Sequence, residues 1–217
     1  MRLIKFTDKY SRDANGIQWG VGIEHVKSGS EVIGAYKDLL VGLMLNPIHA
    51  NFHDPRAWMA NGSDKIKTDH GLMVGVTRLM TLHKIEIPRI TSNHRVRFAI
   101  LCSAKIYNDP AFIQWAQDWL DGRKRPSKEV IVERFRRVFS EDAEETCCAS
   151  VSSLEQAAII SETLIAADLE VHHEHTSAAL YAAKAVENAA RTKYLNLPVL
   201  ARRAVSQKRI VFKKTEP

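Results

Sequence analysis

From Ser150 to Leu195 the chain contains neither glycine nor proline and is rich in alanine. Nothing in that stretch opposes helix formation, so it constrains the fold more than any other feature. It is also longer than a typical helix of a globular protein, and an interruption is expected between residues 168 and 177. There the sequence reads DLEVHHEHTS, its least apolar part.

The helical texture begins earlier. SNHRVRFAILCSAKIY carries an apolar stripe at Val96, Phe98, Ala99, Leu101 and Cys102. Asp109 then serves as an N-cap, Pro110 takes the first helical position, and Gly122 stands where a C-cap belongs. Phe112, Trp115, Ala116 and Trp119 share one face of that helix. PSKEVIVERFRRVF, from Pro126, reads as a further amphipathic helix.

Before Ser92 the pattern differs. MRLIKFT and GIQWGVGIEHV carry β-formers with period-two alternation, separated by a turn at Asn15-Gly16. SEVIGAYKDLLVGLML is expected to be a helix capped by Ser30, with Val32, Ala35, Tyr36, Leu39 and Leu40 on its apolar spacing, ended by Asn46-Pro47. SDKIKTD, GLMVGVTRLMTL and KIEIPRIT read as strands, the last an edge because Pro88 cannot donate to a ladder. The expected fold class is α+β. A small β-rich domain spans 1–91, an all-α, alanine-rich domain spans 92–200, and 201–217 forms a basic tail or a closing strand.

A chain of 217 residues with 45% hydrophobic and 26% charged residues can bury a core without staples. No apolar run approaches the length of a membrane span, and the N-terminus shows no signal-peptide pattern. Three cysteines, with Cys147 and Cys148 adjacent, argue against a disulfide framework and for a cytoplasmic setting. The net charge of +6 is segregated. Residues 141–187 form an acidic block, flanked by basic clusters at 122–137 and 201–214. Such segregation serves an anionic partner, or pairs oppositely charged faces within the fold or across an oligomer.

The segment RVRFAILCSAKIYNDPAFIQWAQDWLDGRKR, followed by a helix ending SAALYAAKAVENAAR, resembles uncharacterised bacterial and phage proteins, some labelled immunity proteins. The shared pattern is a small-residue helix bearing a cysteine, a W-A-x-x-W-L-x-G-x-x-R helix, and alanine-rich helices. DPRAWMANGSDKIKTDHGLMVGVTRLMTLHKI is similar to the β domain that often stands before them. The resemblance covers residues 54–191. This sequence has fewer alanines than typical members and lacks the cysteine-centred turn that many show. No catalytic residue carries over. The resemblance implies an accessory protein of bacteria or their phages that acts by binding.

Metal chemistry has two candidate clusters. Glu170 and His173, like His172 and His175, are three apart and share a helix face if the helix is continuous. A carboxylate-bridged di-iron bundle needs a second Glu-x-x-His, and the sequence has none. Glu170, His172, His173 and His175 therefore read first as a polar helix break. His49 and His53, with Asp54 beside them and Asp69-His70 downstream, form the second; Pro47 and Pro55 bracket a segment too short for a stable helix, so these histidines read as turn anchors. Carboxylates beside Cys147 and Cys148 disfavour a thiolate, and Cys102 reads as core. No G-x-S-x-G, P-loop or G-x-G-x-x-G occurs.

The expectation is a non-enzymatic interaction protein without a cofactor, binding a protein partner or itself through Glu141, Asp142, Glu144 and Glu145. The alternative is a nucleic-acid-associated protein using the phosphate-neutralising charges of Arg202, Arg203, Lys208, Arg209, Lys213 and Lys214. A metal-dependent hydrolase stands third. No membrane association is expected.

Overall fold

The computed structural model describes residues 1–123, 151–206 and 208–212. The fold is α+β, with an antiparallel sheet in the N-terminal half followed by helices in the C-terminal half. The chain divides into two compact units, Met1–Ile90 and Thr91–Pro217.

In the first unit, β1 (Arg2–Thr7) pairs with β4 (Arg56–Asp69), and β4 pairs with β5 (Met73–Ile85). The other side of β5 carries two short strands in succession, β2 (Glu24–Val26) and β3 (Ile33–Ala35). The next residue, Tyr36, exchanges two backbone hydrogen bonds with Ile4 of β1, of 2.7 and 2.9 Å, which closes the sheet into a small barrel. Both faces of β1 are therefore buried. Leu3 packs with Trp19, Ile33, Ala60, Val74 and Leu79, whereas Ile4 and Phe6 pack with Tyr36, Ala57 and Leu43 of α1 (Leu39–His49).

The β4–β5 hairpin turns on His70 and Gly71, both with positive φ, and Leu72 N–H donates to the Asp69 carbonyl. This is the turn whose twist matches that of the flanking strands. The expected turn at Asn15-Gly16 is present, with Gly16 at φ 78° and its N–H donating to Asp13.

Four expectations for this half are corrected. Residues 30–35 are not helical, because the Ile33–Ala35 backbone is taken up by pairing with Val74–Val76. The helix begins instead where the Asp38 carboxylate accepts from Val41 N–H. It also passes Asn46-Pro47 and ends at His49, since the Asn46 side chain is fixed in the last turn by donating to the Phe52 carbonyl and accepting from Phe52 N–H. Of GIQWGVGIEHV only Glu24–Val26 forms a strand, and KIEIPRIT supplies only the end of β5.

The second unit is built around α2 (Ser92–Ile106), capped by Thr91, whose core face holds Val96, Phe98, Ala99, Ile100, Leu101 and Cys102. It packs against α3 (Pro110–Leu120), α4 (Val151–Val171), α5 (His175–Thr192) and α6 (Leu197–Val205). Asp109 caps α3 by accepting from the N–H groups of Ala111 and Phe112, and Phe112, Trp115, Ala116 and Trp119 are buried. Alanines 178, 182, 185 and 189 bring α5 close to its neighbours, an approach that larger side chains would prevent. One polar contact crosses the core: Ser103 and Thr163 hydroxyls lie 2.7 Å apart, and Thr163 donates to the Ile159 carbonyl.

The helix expected from Pro126 lies outside the described residues. The tail forms no strand among its described residues. Instead Gln117 of α3 donates to the Ile210 carbonyl and accepts from Phe212 N–H, while Ile210 is buried. No helix of the described residues is long and apolar enough to cross a membrane.

Candidate functional site

The barrel carries a pocket of about 400 Å³. Its floor is the Gly34–Gly75 pair of β3 and β5. A side chain at either position would require a neighbour to move. A Cβ on Gly34 would meet Met73 Sδ at 2.8 Å, and one on Gly75 would meet Val32 at 2.9 Å. Phe6, Tyr36, Phe52, Met73 and Val32 supply apolar wall, and α1 contributes Asn46 and His49.

The polar wall is Lys5 and Asp13, an ion pair of 3.0 Å with side chains only 9% and 6% exposed. Lys5 faces the barrel interior because strand alternation places it on the side of Leu3 and Thr7. Its ammonium also donates to the Gly34 carbonyl and lies 4.9 Å from the centre of the Trp19 ring. Asp13 is bonded on both oxygens. One accepts from the N–H groups of Asn15 and Ile17, the other from Trp19 Nε1 and Lys5. Burial pushes the Lys5 ammonium down, an effect that Asp13 only partly offsets. Burial works to raise the Asp13 carboxyl, but the Lys5 charge and the bonds from Lys5, Trp19 and Ile17 outweigh it and hold the carboxyl below its ordinary value.

On the opposite wall Tyr36 Oη lies 2.6 Å from His49 Nδ1, with the two rings stacked at 5.9 Å. In the neutral imidazole that accepts from the phenol, Nε2 carries the hydrogen. Lys5, Asp13, Tyr36, His49 and Asn46 are thus each already bonded. Lys5 is paired with Asp13, Tyr36 with His49, and Asn46 with the Phe52 backbone, while Asn15 and Asp69 complete the polar lining.

The residues expected from the sequence are placed elsewhere. His172, His173 and His175 surround the end of α4, and all three are exposed. His173 has φ 62°, its N–H donates to the Glu170 carbonyl and Glu174 N–H donates to the Leu169 carbonyl, the double closure of a Schellman cap. His172 Nδ1 lies 2.9 Å from the Asp168 carbonyl, and His175 Nδ1 lies 3.1 Å from both Glu170 Oε2 and Ser92 Oγ. Among the described residues no group of three or more His, Cys, Asp or Glu is arranged to hold a metal ion.

Of the tail cations, Arg202 and Arg203 lie on α6, and Arg209 is held by both oxygens of Asp121 at 3.0 and 2.7 Å. Arg209, Lys208, Arg97 and Arg123 edge a shallow hollow with Asp121. Lys213, Lys214, Glu141, Asp142, Glu144, Glu145, Cys147 and Cys148 lie outside the described residues. Burial pushes the Cys102 thiol up, which keeps it a thiol packed in the core.

The sequence offers His49 as a turn anchor or a metal ligand and Tyr36 as an apolar helix position, and marks neither Lys5 nor Asp13 as a site residue. The signal available for Lys5 was a lysine at an inward position of a strand otherwise apolar on both faces. Compared with models of known protein families, with curated proteins and with solved structures, the chain matches none of them.

Proposed function

We propose that this is a non-enzymatic binding protein, an accessory factor of bacteria or phage, that recognises a partner protein by seating part of it in the barrel pocket. The observation that carries this reading is the mutual bonding of Lys5 with Asp13 and of Tyr36 with His49. A general base or nucleophile needs a proton or lone pair directed at a reactant. Here Lys5 is held by Asp13 and Tyr36 by His49, which fixes the pocket's walls in place, as suits a preformed recognition site.

The test fills the pocket from its rim. Ala14 is an exposed turn residue that lines it, so Ala14→Trp occludes the space without entering a core. Immobilised protein and the variant are exposed to lysate of a bacterial host with and without phage, and retained proteins are quantified by mass spectrometry. A protein held by the parent and lost from the variant is the expected outcome. Equal retention by both would reject the pocket as the binding element.

A further inference from the structure

We infer that a cleft in the helical unit, lined by α2, α3, α6 and the tail, binds an acyl chain with an anionic head, a ligand of the fatty-acid class. The cleft has a volume of about 940 Å³, within the range of small-molecule sites. Leu101 and Ala104 of α2, Ile113 of α3, and Val211 and Phe212 of the tail supply apolar lining. The tail wall is fixed from both sides of Val211. Gln117 donates to the Ile210 carbonyl and accepts from Phe212 N–H, and both oxygens of Asp121 hold Arg209. Val211 is thus 58% exposed on a wall that is already ordered, which lowers the cost of covering it with a ligand.

The charge around the cleft is one-sided. Lys105, Arg203 and Arg209 line it, and its described lining residues include no Asp or Glu. Asp121 neutralises Arg209, whereas neither the Lys105 nor the Arg203 side chain forms an ion pair or hydrogen bond among the described residues. The other carboxylates of this region are engaged. Asp109 caps α3, and Asp118 accepts from Gln114 and pairs with Arg123. An anionic head seated here meets cations that no carboxylate already holds. An acyl chain fits better than a peptide, because the lining has little to offer backbone amides. Gln117 spends both ends of its amide on the tail and Gln114 donates to Asp118, so of the lining amides Asn108 alone has no partner among the described residues. A run of methylenes needs none.

The experiment is a calorimetric titration of the full chain with hexanoate, octanoate and decanoate, at neutral pH and low salt and below micelle formation. Octanol and octylammonium are the neutral and cationic probes of matching length. One-site binding is expected, with affinity rising about fourfold for each added methylene that the cleft buries. Octanol should bind roughly tenfold more weakly than octanoate, and octylammonium more weakly still. Lys105→Gln combined with Arg203→Gln should bring octanoate down to the level of octanol while octanol itself is unchanged. Val211→Glu, at an exposed position that leaves the core intact, should weaken decanoate by about tenfold or more. The inference falls if no carboxylate binds saturably, if affinity is flat with chain length, or if octylammonium matches octanoate. It falls equally if either variant binds decanoate as tightly as the parent. A blocked peptide of residues 141–145, EDAEE, or a single-stranded oligonucleotide that displaces decanoate and binds more tightly would reassign the cleft to a polyanion and overturn it. The cleft belongs to the second unit, so these outcomes are independent of partner capture at the barrel pocket.

Discussion

Asp13 organises the loop between β1 and β2, accepting from two backbone N–H groups, an indole and an ammonium. Its removal leaves the Lys5 ammonium in a site with side-chain exposure of 9% and no counter-charge. Breaking a buried pair from one side is far more costly than never having built it, so Asp13→Ala should lower stability by about 3 kcal/mol, read by urea unfolding. The same residue sets an acid limit. Because the folded carboxyl lies below its ordinary value, its contribution is complete above about pH 4, where the unfolded carboxylate is also ionised. It drains away as pH falls through the folded value. Asp13→Asn should show a flatter stability profile between about pH 4 and 2 than the parent, and a parallel profile would assign the acid sensitivity to other carboxylates.

At the scale of elements, the histidine-rich stretch is where one long helical run becomes two helices. A left-handed residue is required to reverse the chain after Val171, and His173 takes that conformation at φ 62°. A residue with a Cβ is strained there by roughly 1 kcal/mol, which glycine avoids. His173→Gly should therefore stabilise the protein by about 0.5–1 kcal/mol, seen as a rise in Tm. A loss of stability would mean that the imidazole, whose ring centre is 5.7 Å from that of His175, contributes more than the strain it causes. The α3 helix shows the opposite case, where Asp109, Pro110 and Gly122 all occupy the positions their chemistry favours.

For the whole molecule, the division at residues 90 and 91 gives each unit a core of its own. The barrel buries Leu3, Trp19, Val76 and Leu79, and the helical unit buries Phe98, Leu101, Phe112 and Ile159. Destabilising one core should then leave the other intact. In Asp13→Ala, hydrogen exchange should accelerate at amides of β1, β3 and β5 and stay unchanged in α2. Acceleration spreading into α2 would show that the two cores unfold as one cooperative unit.

The α+β class, the change of texture near Ser92, the caps of α3 and the interruption within 168–177 were all legible in the sequence. Each depends on neighbours a few residues apart: periodicity, a capping side chain, a proline at the first helical turn, a missing glycine. The barrel was not legible. Its closure depends on Tyr36 bonding to Ile4, and the strand at Ile33–Ala35 exists because β5 offers partners that a local reading of Ser30 to Leu45 cannot see. The pocket is one step further removed, since Lys5, Asp13, Gly34, His49 and Gly75 become neighbours only once the sheet has closed. Local propensity decided which segments are helices and where they break. Long-range pairing decided that a lysine in an apolar strand faces an aspartate and that two paired glycines make room for the side chains of Met73 and Val32.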